Sequence, residues 1–231
     1  MSRETKRKKM IIEVIGEIQE ASIEKAIEAL QKCPKLNFDP SLNLSIKLGV
    51  DPKKSDQQVR GTVTLPNGTG KKIKVLVLAK GDKIKEAIDA GADFAGNEEY
   101  VEKIKSGWVD FHAIVATPDM MRDVGKLGKI LGPRGLMPSP KAGTVTQDVA
   151  KAVKEVKAGK IEFKADKGGV VNSAVGKISF SSNKLIENVE TLLRAVVRAR
   201  PSSAKGVYMK SAYLSSTMGP GIKLEMQALS F

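Results

Sequence analysis

Strand patterns of two kinds succeed one another along this chain in the order first, second, first, and that order limits the folds open to it. Leu42, Leu44, Ile46 and Leu48 alternate with Asn43, Ser45 and Lys47, which predicts a strand with one face on a core and one in water. Val59, Gly61, Val63 and Leu65 repeat the pattern after a turn at Asp51-Pro52, and the two strands are expected to form a hairpin-like pair. Ahead of them Ser22 caps a helix with Ile23, Ala26, Ile27 and Leu30 on one face, ended by Pro34. Pro66 to Gly70 breaks the chain, and the pattern changes. Val75 to Ala79 is a continuous apolar run, as in a strand covered on both faces. A helix follows from Asp82 to Ala90, then a short strand at Phe94-Ala95 and a helix from Glu98 to Lys105. A strand from Phe111 to Ala116 and a helix opened by Asp119 complete the alternation. Such alternation implies a small parallel sheet with helices on its faces. Thr146 is expected to cap one more helix, through Val149, Val153 and Val156, to a stop at Gly159.

Past Gly159 the first pattern returns. Ile161 and Phe163 alternate with Glu162 and Lys164, and Lys167-Gly168-Gly169 forms a turn. Val175, Ile178 and Phe180 suggest a strand with an irregularity near Gly176. Ser182 starts a long helix with one apolar stripe that stops before Pro201, and Val207 to Ser216 and Ile222 to Met226 read as strands. The expected class is therefore α/β with two domains. A discontinuous α+β domain of the split β-α-β type, an antiparallel sheet with helices, takes residues 1–68 plus 160–231. An inserted Rossmann-like three-layer α/β domain takes residues 69–159, and Gly68, Gly70 and Gly159 mark the hinge.

Gly125 to Gly143, GKLGKILGPRGLMPSPKAG, holds five glycines, three prolines, four basic side chains and no acid. It cannot be regular helix or central strand along its length. It suits either phosphate or a structured hinge. The net charge of +13 points to a polyanionic partner. Residues 69–159 account for +4 of it, leaving +9 for the discontinuous domain, which is expected to hold that partner. The basic N-terminus (Arg3, Lys6, Arg7, Lys8, Lys9) reads as a solvated, frayed end or as a nucleic-acid-binding arm. No apolar run is long enough to span a membrane, and with no signal-peptide pattern a cytoplasmic location is expected.

Catalytic constellations are missing. The single His112 lies in an apolar strand, and the single Cys33 beside Pro34 reads as a small hydrophobe, so no metal, disulfide or activated nucleophile is expected. Gly128-Lys129 is followed by Ile130, and Gly70-Lys71 by Lys72, so neither completes a phosphate-binding GxxxxGK[ST] loop. A nucleotide-using α/β enzyme is the alternative class.

Aromatic residues make up 4% of the chain, too few for a base-stacking platform, so RNA would be read through phosphates, 2′-hydroxyls and shape. Thr217-Met218-Gly219-Pro220 is suited to such contacts, with a hydroxyl that donates and accepts, an adaptable thioether, and a glycine that admits close approach. A plain β-turn with Met218 as a plug is the other reading. Phe38 is either core or a contact platform beside Ser41, and Lys164 and Lys167 are by default solvated charges.

LGKILGPRGLMPSPKAGTV (Leu127 to Val145) resembles the bacterial large-subunit ribosomal protein one family, the L-one family. So do Lys47 to Lys71, AGADFAG (Ala90 to Gly96), ATPDMM (Ala116 to Met121), KAGKIEF (Lys157 to Phe163) and STMGP (Ser216 to Pro220). The resemblance implies a non-enzymatic protein without cofactor, monomeric off the ribosome. Its partner would be large-subunit rRNA at the mobile stalk beside the exit site, where it assists release of deacylated exit-site tRNA. It would also repress translation of its own operon mRNA. The implied RNA contacts are Phe38, Ser41, Lys164, Ser211, Thr217, Met218 and Gly219, with Gly132, Pro133, Arg134 and Gly135 as a secondary RNA surface; Lys167 is expected to join the RNA-binding set beside Lys164. Many members carry a basic residue where this chain has Asn37, which releases no counterion on binding.

Overall fold

The computed structural model describes residues 5–16, 20–34 and 36–226, apart from the side chain of Ser55. The elements, labelled in chain order, begin with α1 (Lys6–Ile15), β1 (Glu20–Ala21), α2 (Ile23–Lys32), β2 (Ser41–Leu48) and β3 (Arg60–Thr64). They continue with β4 (Val75–Leu78), α3 (Lys83–Asp89), β5 (Phe94–Gly96), α4 (Glu98–Lys105), β6 (Ala113–Ala116), α5 (Met121–Lys126), α6 (Gly128–Leu131) and α7 (Val149–Lys157). The last are β7 (Lys160–Lys164), β8 (Val170–Lys177), α8 (Ser182–Arg198), β9 (Met209–Ser216) and β10 (Gly221–Leu224). The chain is a mixed α/β protein in two units, Met1–Gly70 with Ile161–Phe231, and Lys71–Lys160.

In the discontinuous unit a five-stranded sheet has the order β1-β10-β9-β2-β8. β2 runs antiparallel to both β8 and β9, and only the edge pair of β1 and β10 is parallel. The period-two pattern puts Leu42, Leu44, Ile46 and Leu48 on one face, where they meet Leu185, Val189, Leu192, Leu193 and Val196 of α8 and Ile27 and Leu30 of α2 in one core. That apolar stripe repeats every three or four residues, which is why α8 lies flat on the sheet. Ser22 accepts a hydrogen bond from the Lys25 N–H and caps α2.

The inserted unit is built on a three-stranded parallel sheet, order β5-β4-β6. Its central strand is buried on both faces: Leu76 and Leu78 enter one core with α4 and α5, Val75 and Val77 another with α3 and α7. The continuous apolar run of this strand is thus a two-sided burial requirement.

Several expectations are corrected. β2 and β3 do not pair: β3 pairs with β7 in a separate two-stranded sheet. The intervening link is held by its own bonds, the Asp51 N–H donating to Gln57 Oε1 and Ser55–Gln57 forming a 3-10 turn, so β3 leaves along another direction. Both long edges of β2 are then taken by β8 and β9. The cap of α7 is Asp148, whose carboxylate accepts from the Lys151 N–H, while Thr146 accepts from the Asp148 N–H two residues earlier. Lys6 to Lys9 are not frayed but form the first turn of α1, capped by Thr5; Arg3 lies outside the described residues. Ile178 and Phe180 lie beyond the end of β8. The irregularity near Gly176 is a register shift opposite Leu42/Asn43. Among the described residues no helix is long and apolar enough to cross a membrane.

Candidate nucleic-acid interface

Burying one face of a period-two strand leaves the other to whatever side chains alternate with the core. On β2 these are Ser41, Asn43, Ser45 and Lys47. The register sets Asn43 between Ala174 and Ser215, Ser45 between Asn172 and Tyr213, and Lys47 between Val170 and Ser211. Lys223 of β10 stands opposite Tyr213. This face of β8, β2 and β9 carries hydroxyls, amides and lysine and no carboxylate. Glu20, on the far edge strand, is already paired with Lys223.

One end of the face is fixed by a tight network. The Thr217 N–H donates to the Ser41 carbonyl at 2.9 Å, and the Ser41 N–H donates to Thr217 Oγ1 at 3.1 Å. The Thr217 hydroxyl returns a longer bond of 3.3 Å to the same carbonyl. Its donor and one acceptor site are therefore engaged by backbone, so Thr217 positions the turn and keeps only a lone pair for a ligand. The free donor–acceptor pair that the sequence suggested is not there. Met218 has φ 60, the one non-glycine residue with positive φ among those described, and the residue is 68% exposed. It is a knob and not a plug. A Cβ on Gly219 would lie 1.9 Å from Ser216 Oγ, so the turn requires glycine there.

Sequence reasoning missed Lys177. Its ammonium donates to Ser41 Oγ and to the Asp39 carbonyl, each at 3.0 Å, which leaves the Ser41 hydroxyl free to donate. Nothing in the pattern flags it, because the β-bulge at Gly176 decides that Lys177 faces Ser41. Asp39 accepts from the Ser179 hydroxyl at 2.7 Å and stiffens the loop that carries Phe38. Phe38 is 48% exposed, so it is a surface group, and the neighbouring Asn37 is exposed as well.

The remaining candidates are spread out. Ser211 lies opposite Lys47, six residues along β2 from Ser41, which separates the two ends of the face by about 20 Å. Lys167 sits near that second end, in a turn whose Gly168 and Val170 N–H groups donate to Asp166 and whose Gly168 carbonyl accepts from Lys47. Lys164 is exposed at the end of β7, in the small two-stranded sheet. Gly132, Pro133, Arg134 and Gly135 form an exposed turn after α6 and belong to the inserted unit. Gly68, Gly70 and Gly159 all have positive φ. Gly68 is held by Asn188 through its carbonyl, and Gly70 packs on Lys177 and Phe180.

Among the described residues, His112 and Cys33 are not joined by other reactive groups. His112 is exposed, its Nδ1 accepting from the Lys74 N–H. Burial pushes the Cys33 thiol up from its ordinary pKa, and its Sγ lies 3.4 Å from the Ala29 carbonyl, so it is a weak nucleophile. Among the described residues no three metal-binding side chains cluster.

Comparison with known proteins agrees with the motifs. The family model of the Ribosomal protein L1p/L10e family matches residues 24–220. The chain is 61% identical over 227 residues to the "Large ribosomal subunit protein uL1" of Protochlamydia amoebophila, covering 98% of this chain and 96% of that one. The proteins of the same name from Chlamydia caviae and Chlamydia pneumoniae are 58% and 56% identical, each over 229 residues and 99% of both chains. A match of this extent takes in both units, and the chain belongs to the Ribosomal protein L1p/L10e family.

Proposed function

We propose that this protein is a structural component of the large ribosomal subunit, that it binds the subunit's rRNA, and that it catalyses no reaction. The open face of the five-stranded sheet is the binding surface. Met218 carries the reading: an exposed thioether on a left-handed backbone, anchored through Thr217 to Ser41 at the end of a face rich in hydroxyls and free of carboxylate. A methionine held there in water gains nothing for the fold. Against RNA it covers a ribose or base edge, while Ser41, Ser211, Lys164, Lys167 and Lys177 take sugar and phosphate oxygens. About 20 Å of strand matches roughly six nucleotides at 3.4 Å each.

The finer reading is the stalk beside the exit site, where the protein assists release of deacylated tRNA. Free protein binds its own operon mRNA through the same face and represses its translation, because one face cannot hold both RNAs. The turn Gly132–Gly135 is a secondary RNA surface, and the glycine crossings at Gly68, Gly70 and Gly159 act as the hinge between two domains. Filter binding to a stalk rRNA fragment tests the main surface. Met218→Asp lowers affinity at least tenfold and Arg134→Ala lowers it less; equal losses would overturn this ranking. Operon mRNA should compete with the stalk fragment for one site, and simultaneous binding of the two would reject the repressor reading.

A further inference from the structure

The discontinuous unit has a groove that the open face does not use. It runs between β3 and α8 with a volume of about 590 Å³ and is floored by Phe163. The floor is kept low by missing side chains: a Cβ on Gly61 would meet the Phe163 ring at 2.7 Å, and α8 presents Ala195 and Ala199. Thr191 adds a hydroxyl that donates to the Glu187 carbonyl at 2.7 Å and keeps its acceptor sites, while Thr62 and Thr64 belong to the lining strand with their side chains on the face opposite Gly61. Arg194 and Arg198 stand one helical turn apart on its wall, their Cβ atoms about 6 Å from each other. Arg194 shares its charge with Glu190 at 3.3 Å, while Arg198 is exposed and has no carboxylate partner among the described residues.

The apolar stripe of α8 faces the sheet, so Arg198, half a turn round the helix, faces away from it. The groove and the open face thus lie on opposite sides of the sheet. We infer that this groove is a second RNA site, which takes a single-stranded sugar–phosphate segment independently of base sequence. Guanidinium groups one turn apart suit successive phosphates, and the Thr191 oxygen can accept from a 2′-hydroxyl. Phe163 is too deeply buried to stack a base, so the contact carries no sequence preference. Only the choice of RNA as the polyanion rests on the function proposed above. Two sides occupied at once would let one protein hold two RNA segments.

Fluorescence anisotropy of labelled oligouridylate on the full-length protein, alone and saturated with the stalk rRNA fragment, tests this. Oligouridylate should bind in both conditions. Arg198→Glu should weaken it roughly fivefold, and Arg198→Ala should take about 0.7 off the slope of log affinity against log salt. Neither change should alter affinity for the stalk fragment. Thr191→Asp, at a second partly exposed position on the helix wall, should act in the same direction, and circular dichroism confirms that each variant is folded. Displacement of oligouridylate by the stalk fragment would overturn the inference, as would indifference to both acidic substitutions. Binding of labelled oligoglutamate in place of oligouridylate would overturn the choice of ligand. Failure of Met218→Asp to weaken the stalk complex would count against the open face alone, not against the groove.

Discussion

On the function proposed, Met218 and Gly219 divide stability from binding between two adjacent residues. Met218→Gly relieves a left-handed backbone that costs an L-residue about 1–2 kcal/mol, an amount roughly offset by the greater freedom of glycine in the unfolded chain. Chemical denaturation should therefore show a change within about 1 kcal/mol, while affinity for stalk rRNA falls severalfold. Gly219→Ala should do the reverse first, costing about 1–3 kcal/mol because its Cβ collides with Ser216 Oγ. Adding Ser216→Ala removes that oxygen and should recover part of the loss; no recovery in the double variant would refute the steric account. The turn itself was legible, since Thr-Met-Gly-Pro specifies a break with an exposed tip. The engagement of Thr217 by Ser41 was not, because it depends on a contact across 176 residues.

At the scale of elements, α8 is tied at two points, one in its first half and one close to its C-terminal end. Its Asn188 is fully buried, and its amide donates to the Gly68 and Val175 carbonyls while its oxygen accepts from the Asn67 N–H. Asn188→Leu would leave three backbone groups unpaired and should cost roughly 2–4 kcal/mol in denaturant titration. Near its other end the Tyr208 hydroxyl donates to the Val196 carbonyl, and burial pushes its pKa up to about 12. A folded-state pKa above the unfolded value means that the contribution is complete below about pH 10 and is lost as pH rises toward 12. Alkaline unfolding should lose roughly 2–3 kcal/mol across that window, and Tyr208→Phe should flatten the dependence. The long helices and the buried parallel strand were legible because their apolar periods are uninterrupted. Pairing of β2 was not: alternation assigns a face to a strand but no neighbour, so proximity in sequence suggested β3 where β8 and β9 stand. Polar residues 3–4 apart do not expose a period either, and α1 went unread beneath its charge.

At the scale of the molecule, both termini contribute to one sheet. β2 comes from the first third of the chain and its partners β8 and β9 from the last, so the open face exists only once the two segments have met. The order of strand patterns predicts an insertion, and charge makes the discontinuous unit the one proposed to hold RNA. If Lys164, Lys167 and Lys177 each neutralise a phosphate, as proposed, the slope of log affinity for stalk rRNA against log salt should be about −2 to −3. A slope near zero would remove the electrostatic basis of the account. The most direct test replaces residues 71–160 with a short glycine–serine linker and measures affinity of the shortened protein for the stalk rRNA fragment, after its melting transition has shown it to be folded. Affinity within about tenfold of the intact protein is the result predicted here. A folded shortened protein that no longer holds the fragment would contradict it.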